Sequence, residues 1–365
     1  MAQERKPQPP LPVSLDEPET FRALDSKNML GMTMDFPNHC REGLRLGDEV
    51  GLDDSYRIEY NAIVGLGMGG SAIGSDLVAA AYRDQLRVPM TTVRDYSVPA
   101  SVGQRTLVFG VSYSGDTEET LAAFSEARKR GARVIGIASG GELARICDGN
   151  RLPCVIVPGG QPPRASTGYL LMPMVAVLER LGLIGDQAAV RQECLGILEA
   201  QAQEYGRQSP TDANRAKQLA ALMHGKVPII YASAPTFGVV AYRWRTQCNE
   251  NAKVLALSHE LPELDHNEIV GWELGRDLLR RRCVIVLTDP AMSDRMRLRL
   301  DITCQLLGDL DLHQQPARGD SALARVLSAM YVGDFTSIYL AFLNGVDPYD
   351  IRAINELKKR LAARA

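Results

Sequence analysis

Three stretches of the sequence gather residue types that bind anions or move protons. The first is GLGMGGSAIGSDL, Gly65 to Leu77, in which Gly65, Gly67 and Gly70 match the G-x-G-x-x-G spacing. That spacing permits a tight strand-to-helix turn over a pyrophosphate, and Asp95, at the end of the next predicted strand, stands where a ribose-binding acid belongs. The second is VSYSGDTEET, Val111 to Thr120, where Ser112, Ser114, Gly115 and Thr117 crowd one helix start. A helix N-terminus presents unpaired N–H groups and a positive dipole end, and neighbouring hydroxyls add hydrogen bonds to phosphate oxygens. The competing reading is ordinary helix capping, since Ser, Thr and Asp favour helix starts. A nicotinamide site needs no second hydroxyl cluster, whereas a compact phosphomonoester does. Two such turns at the carboxyl ends of parallel strands would face one crevice.

The third stretch, CNENAKVLALSHELPELDHNEIVGWE, is the densest polar run. Glu250 falls near the C-terminal end of a predicted helix, where a carboxylate opposes the dipole and needs a partner. Glu260, Glu263 and Glu268 compete with it as candidate bases. His266 lies in a loop, and imidazole is well matched to proton transfer near neutral pH. His259 and His266, with no cysteine pair beside them, match no standard zinc framework. Arg164, in the Pro-punctuated loop QPPRASTGYL, can fork onto an anion or a developing oxyanion. Lys358 and Lys359, on the last predicted helix, read by themselves as solvated charges.

These residues need elements to position them. NAIVGLG, PMTTVRDY, RTLVFGVSY, ARVIGIAS and LPCVIVPG read as strands, separated by helical stretches such as SAIGSDLVAAAYRD and DTEETLAAFSEARKRG. The latter is expected to open with a capping box from Asp116 to Glu119 and to stop at Gly131. Strand–helix alternation implies a parallel sheet covered by helices on both faces, so the fold class is α/β. GYLLMPMVAVLERLGLI closes that half, with Pro173 a possible kink, and a polar helix from Gln187 to about Gly206 reads as a linker. The pattern restarts with VPIIYAS and RRCVIVLTD as strands, the first followed by a helix over FGVVAYRWRTQCNENAK. Asp347 as cap, with Pro348 in the first turn, opens a final amphipathic helix. The expected organisation is a disordered Pro-rich arm over 1–20 and a first domain with helical lead-in, broken at Pro37, over 21–185. A linker helix over 186–212, a second domain over 213–345 and a C-terminal helix over 346–365 follow.

Bulk properties narrow the class further. The chain has 365 residues, long enough for two cores, and a net charge of −3 with no basic block, which points away from nucleic acid or a membrane surface as partner. Seven cysteines without a C-x-x-C pair suit a reduced, cytoplasmic protein without a disulfide framework. No apolar run approaches a membrane span on this reading, and the N-terminus has no secretory h-region. The nucleophile elbow, the P-loop, the zincin helix and the haem attachment motif are absent from the sequence.

Taken together, GMGGSAIG, VSYSGDTEET, PPRASTGYL, NENAK, HNEIVGW and INELKKRL, in this order, resemble the bifunctional phosphoglucose/phosphomannose isomerase family, from about Asp25 onward. The first two motifs mark sugar-isomerase (SIS) domains generally; NENAK with HNEIVGW is more specific. The resemblance implies two SIS-type domains, each a three-layer αβα sandwich, and a C-terminal helix. It implies that Gly69, Gly70, Ser71, Ser112, Ser114 and Thr117 bind a sugar phosphate and that Arg164 steadies an enediolate. Glu250 would then carry the proton between C1 and C2. His266, lent by the other subunit of a homodimer, would help open the ring, and Lys358 would reach the ring oxygen or a hydroxyl. No metal and no redox cofactor would be needed. The family often carries Thr-Pro where this chain has Tyr349 and Asp350, close to Lys358 in sequence, where the balance between glucose and mannose substrates would be affected. A SIS-type module that senses a phosphosugar without converting it would have no need of Glu250 with His266. A dehydrogenase reading rests on Gly65, Gly67, Gly70 and Asp95 alone.

Overall fold

The computed structural model describes residues 13–233, 235–273, 281–308 and 310–363. Its first half is built on β1 (Ala62–Leu66), β2 (Met90–Val93), β3 (Thr106–Val111), β4 (Arg133–Ala138) and β5 (Cys154–Ile156). These form one all-parallel sheet in the order β2-β1-β3-β4-β5. β1, β3 and β4 are almost wholly buried, which is why they read as continuous apolar runs rather than alternating ones. The second half carries β6 (Val227–Ser233), β7 (Leu257–Leu261), β8 (Arg282–Thr288) and β9 (Leu312–Pro316), parallel and ordered β7-β6-β8-β9.

Two of these strands carry no strand signal in the sequence. β7 (LSHEL) and β9 (LHQQP) are the edges of the second sheet. An edge strand with part of its surface open tolerates polar residues, so no apolar run marks it.

The longer helices, in chain order, are α1 (Phe36–Glu49), α2 (Gly69–Ala81), α3 (Glu118–Lys129), α4 (Gly141–Gly149), α5 (Thr167–Arg180), α6 (Ala188–Glu204), α7 (Arg215–Met223), α8 (Gly238–Gln247), α9 (Asp294–Leu306), α10 (Ala322–Leu343) and α11 (Arg352–Ala362). One face of the first sheet packs on α3 and α4 through Val64, Val108, Val134, Phe124 and Cys147. One face of the second packs on α9 through Val284, Val286 and Leu300. The other faces of both sheets join a single continuous core with α1, α5, α7, α8 and α10. The two halves thus share one interior, although each has its own sheet.

Several local expectations are revised. α3 is capped at Thr117 without a side-chain cap bond, and the Asp116 carboxylate instead accepts from Glu142 N–H on α4 at 2.8 Å, so the expected capping box is not made. Gly131, at φ +83°, does end that helix region. The lead-in does break beside Pro37, at Asp35 between the helices Met29–Met34 and Phe36–Glu49, with Pro37 in the first turn of the second. Asp347 does not cap α11, which begins at Arg352; its carboxylate accepts from Tyr349 N–H at 2.8 Å. The polar stretch after Gln187 is α6, packed on α10 and α1.

Residues 13–20 are folded: Leu15 is buried, Pro18–Phe21 is a helical turn, and the buried Lys217 ammonium donates to Leu15 O at 2.6 Å. Residues 1–12 of the expected arm lie outside the described residues. α10 is long and apolar enough to cross a membrane, contrary to the expectation that no run approaches that length, but 94% of its apolar window is buried inside the protein. Its all-round apolarity belongs to a helix surrounded by the core.

Candidate functional site

β1 and β3 are adjacent in the sheet, while the chain leaves β1 towards β2 on one side and β3 towards β4 on the other. The crevice at such a switch point, outside the carboxyl ends of the strands, is where open α/β sheets bind ligands. Both hydroxyl-bearing loops open there. After β1, Gly69 takes φ +49° at the first turn of α2, and Ser71 Oγ accepts the Tyr113 N–H at 3.2 Å. The two loops are therefore tied to each other. After β3, Ser112 Oγ donates to Thr117 Oγ1 at 2.9 Å, which leaves the Thr117 hydroxyl hydrogen free to donate onward. Ser114 is exposed and its Oγ accepts Asp116 N–H at 3.3 Å. Ser75, the other serine of the first loop, is fully buried under Gly65 and outside this group. Asp95 is exposed beyond β2, with Oδ1 on the adjacent Tyr96 N–H at 2.6 Å.

Arg164 lies on a 3₁₀ turn, Pro163–Ala165, that packs directly against the start of α2. A Cβ at Gly70 would stand 2.8 Å from Arg164 N and 2.9 Å from Pro163 C, so only glycine allows the two backbones to come this close. The Arg164 side chain is buried and all its visible partners are specific. Nε donates to Asn251 Oδ1 at 2.7 Å, Nη2 to Pro348 O at 2.7 Å and Tyr349 O at 3.1 Å, and Nη1 stands 3.5 Å from Glu250 Oε2. Burial pulls the guanidinium below its usual value, Glu250 opposes that shift and Arg243 adds to it.

Glu250 occupies a π-helical turn, Cys248–Ala252, that continues α8. Widened turns of this kind recur at functional sites because they re-aim one side chain out of the helical register. Its side chain is about a quarter exposed (26%), against 2% for Arg164, so the carboxylate reaches the open side of a buried cation. This supplies the partner that its position near a helix C-terminus demands.

Residues not singled out in the sequence complete the cluster. Asn251 is fully buried and bridges Arg164 to Ser337 Oγ, to which its Nδ2 donates at 2.9 Å. Arg243 Nη2 donates to Arg164 O at 2.6 Å and pairs with Asp334 at 3.0 Å. Burial raises the Asp334 carboxyl, with Arg243 and Gln247 opposing. Lys253, left-handed at φ +55°, folds its ammonium back onto Glu250 O (2.9 Å), Asn251 O (3.1 Å) and Asp347 O (2.7 Å). The NENAK motif contains two of these residues. Arg243 and Asp334 carry no motif signal, because their pairing spans 91 residues.

The remaining candidates stand elsewhere. His266 ends a 3₁₀ turn, Glu263–His266, after β7; it is exposed and makes no hydrogen bond among the described residues. Its segment is anchored by Glu268, which takes the Tyr231 hydroxyl and lies 2.7 Å from His259 Nδ1, while Trp272 Nε1 donates to the Tyr231 hydroxyl at 2.9 Å. Tyr231 and His259 are register partners on β6 and β7, which explains why one carboxylate reaches both. Glu268 is thereby occupied, Glu263 accepts from Asn267 at 2.8 Å, and Glu260 packs over Gly238. None of the three touches Arg164, so among the candidate bases only Glu250 has that cation. Lys358, like Lys359, is exposed on α11 without an ion-pair partner among the described residues.

The described residues contain one trio with metal-ligand chemistry, Cys283, Asp311 and His313, at the opposite, amino-terminal ends of β8 and β9. Lys226 Nζ already holds Asp311 at 2.5 Å, so a cation occupies that corner.

Residues 212–361 match the family model described as the bacterial phospho-glucose isomerase C-terminal SIS domain. A bifunctional phosphoglucose/phosphomannose isomerase of Caldicellulosiruptor bescii is 34% identical over 339 residues, covering 92% of this chain and 99% of its own length. A D-glucosamine-6-phosphate 4-epimerase of Sulfolobus acidocaldarius is 33% identical, covering 86% of this chain and 92% of its own. Among solved structures, a hypothetical protein from Thermus thermophilus superimposes with a TM-score of 0.72 at 18% identity, covering 95% of this chain and 93% of that one.

Proposed function

The chain belongs to the bifunctional phosphoglucose/phosphomannose isomerase family, and from that premise we propose that it interconverts glucose 6-phosphate and mannose 6-phosphate with fructose 6-phosphate by a metal-independent proton transfer through a cis-enediolate. The observation that carries this reading is the buried Arg164 guanidinium 3.5 Å from the partly exposed Glu250 carboxylate, against the loop that holds Gly70. Aldose–ketose isomerisation asks for one base that removes a proton α to a carbonyl and returns it to the adjacent carbon. It also asks for a fixed cation beside the oxyanion that grows in between.

In the proposed reaction the sugar phosphate sits on the N–H groups that begin α2 and α3, with the hydroxyls of Ser71, Ser112, Ser114 and Thr117 around it and Gly69 and Gly70 leaving room for the oxygens. Glu250 takes the C2 proton of the open-chain aldose, and Arg164 stabilises the enediolate. The protonated Glu250 then delivers the proton to C1 while the O2 hydroxyl proton passes to O1, giving the ketose. Binding energy from the remote phosphate holds the reacting carbons against Glu250. Glucose and mannose phosphates differ at C2 and lead to one common enediolate, so a single base can serve both. His266, exposed on the segment that Glu268 anchors to His259, is suited to entering the site of a second copy to assist ring opening. Lys358 is assigned to the ring oxygen or a hydroxyl, its side chain being exposed on α11.

A sensing module of the same fold would require the hydroxyl loops but no carboxylate set against a buried arginine. The test is a coupled assay in EDTA with each aldose phosphate supplied separately. Both are expected to yield fructose 6-phosphate at rates unchanged by the chelator. Glu250→Gln is expected to lower kcat by about 10³-fold while phosphosugar binding persists. Wild-type kcat in that variant, or collapse of activity in EDTA, would refute the mechanism.

A further inference from the structure

The most unusual pair of side chains outside the site is Cys147 with Cys154. Gly136 on β4 is the register partner of Cys154 on β5, and it has no side chain. The point where its Cβ would stand lies 2.7 Å from Cys147 Sγ and 2.9 Å from Cys154 Sγ. Both sulfurs therefore fill one small space above a glycine, on the face of the sheet that packs against α3 and α4. The backbone between them is already closed, since Leu152 N–H donates to Cys147 O at 2.8 Å as the chain turns from α4 into β5. Cys147 is fully buried; Cys154, on the edge strand, is half-buried. The Cys154 thiol and the Gly136 backbone support the thiolate of Cys147 and lower its proton affinity.

α4 carries Cys147 towards one end and meets the second hydroxyl loop at the other. Leu143 N–H donates to Gly115 O at 2.9 Å, and Glu142 N–H to Asp116 Oδ1 at 2.8 Å. A Cβ at Gly115 would lie 1.9 Å from Gly140 O, so the loop and the start of α4 are in direct backbone contact. A displacement of α4 cannot leave the Ser112–Thr117 loop unmoved, because close-packed elements transmit strain rather than absorb it.

We propose that Cys147 and Cys154 are a redox-active dithiol, and that closing it to a disulfide draws α4 towards β5 and weakens anion binding at the Ser112–Thr117 loop. The oxidant is a small-molecule disulfide such as oxidised glutathione. Cys154, the more accessible of the two, gives up the proton that Cys147 and burial make it hold more tightly, attacks the small disulfide and releases one reduced thiol as the mixed disulfide forms. Cys147 thiolate then attacks Cys154 Sγ and releases the second. The two protein protons end on the two small thiols, and two electrons pass to the oxidant. In a reducing compartment disulfides of this type are transient and regulatory rather than structural.

The effect on substrate rests on the phosphosugar reading above; the chemistry of the cysteine pair does not. Reduced wild-type protein is incubated with oxidised glutathione, quenched in acid, denatured and titrated for free thiols. Its seven thiols are expected to fall by two, with peptides containing Cys147 and Cys154 linked by mass spectrometry. Cys154→Ser is expected to show no loss beyond the substituted thiol. In parallel, KM for fructose 6-phosphate is expected to rise about fivefold, the size of one lost phosphate hydrogen bond, and to recover with dithiothreitol. An unchanged thiol count, or a disulfide mapped to another pair, overturns the proposal. A Cys147–Cys154 disulfide with unchanged KM overturns the transmission through α4. Reduced wild-type protein that turns over no phosphohexose would instead refute the proposed function, and the thiol count would still decide the dithiol.

Discussion

At the residue scale, Lys253 shows how a single cation organises the proposed base. Its ammonium gathers three carbonyl oxygens, two from the turn that carries Glu250 and one from Asp347, next to the Pro348–Tyr349 segment that Arg164 also binds. Loss of hydration and the neighbouring Arg164 pull Lys253 down to about 8, with Asp350, Asp347 and Glu250 opposing. Wild-type kcat is therefore expected to fall as pH rises above about 8, and Lys253→Met to show a lower kcat without that fall. A pH–rate profile of both proteins checks this. Between that value and the free lysine range the unfolded chain holds more protons than the folded one, so this group's contribution to stability rises with pH. The expected loss of rate is thus local and not the onset of unfolding through Lys253. Glu250 and Arg164 were visible in the sequence by residue type and setting. Lys253 was visible only as a letter of a motif, because its role depends on a left-handed backbone that no periodicity encodes.

At the scale of elements, the site depends on contact between the start of α2 and the Arg164 turn. Gly70→Ala is expected to displace that turn and reduce kcat by about 10²-fold, the usual cost of a catalytic group misplaced by about 1 Å. Circular dichroism should be unchanged, since only one backbone contact is affected. Retained kcat in that variant would mean that Arg164 need not be held where it stands. The strands that support these loops announce themselves because burial on both faces requires unbroken apolar runs. The edges β7 and β9 do not, and the π-helical turn at Glu250 reads in sequence as ordinary helix.

At the scale of the whole molecule, one core spans both sheets, and α10 runs through it. Within that core Arg243 pairs with Asp334 and also holds the carbonyl of Arg164. Arg243→Ala would leave a buried carboxyl without its cation and is expected to cost about 3–5 kcal/mol of stability, measured as a lowered denaturation midpoint with unchanged slope. The proposed loan of His266 between copies has its own test. When Glu250→Gln and His266→Asn subunits are co-expressed, mixed dimers should regain one intact site of two, about a quarter of wild-type activity at random pairing. Each variant alone should remain inactive. No recovery in the mixture would place the function of His266 within its own subunit.

The sequence by itself determined the α/β class, most of the interior strands, the hydroxyl loops at helix starts and the family, because these follow from local patterns: continuous burial, capping chemistry and short motifs. The tertiary structure alone decided which of four glutamates stands against Arg164, that Asn251, Arg243 and Lys253 complete the cluster, and that residues 13–20 fold onto the second half. Apart from the two local contacts of Lys253, those facts join residues 79 to 202 positions apart. A contact over such a separation is made by the packing of whole elements, and no short stretch of sequence specifies it.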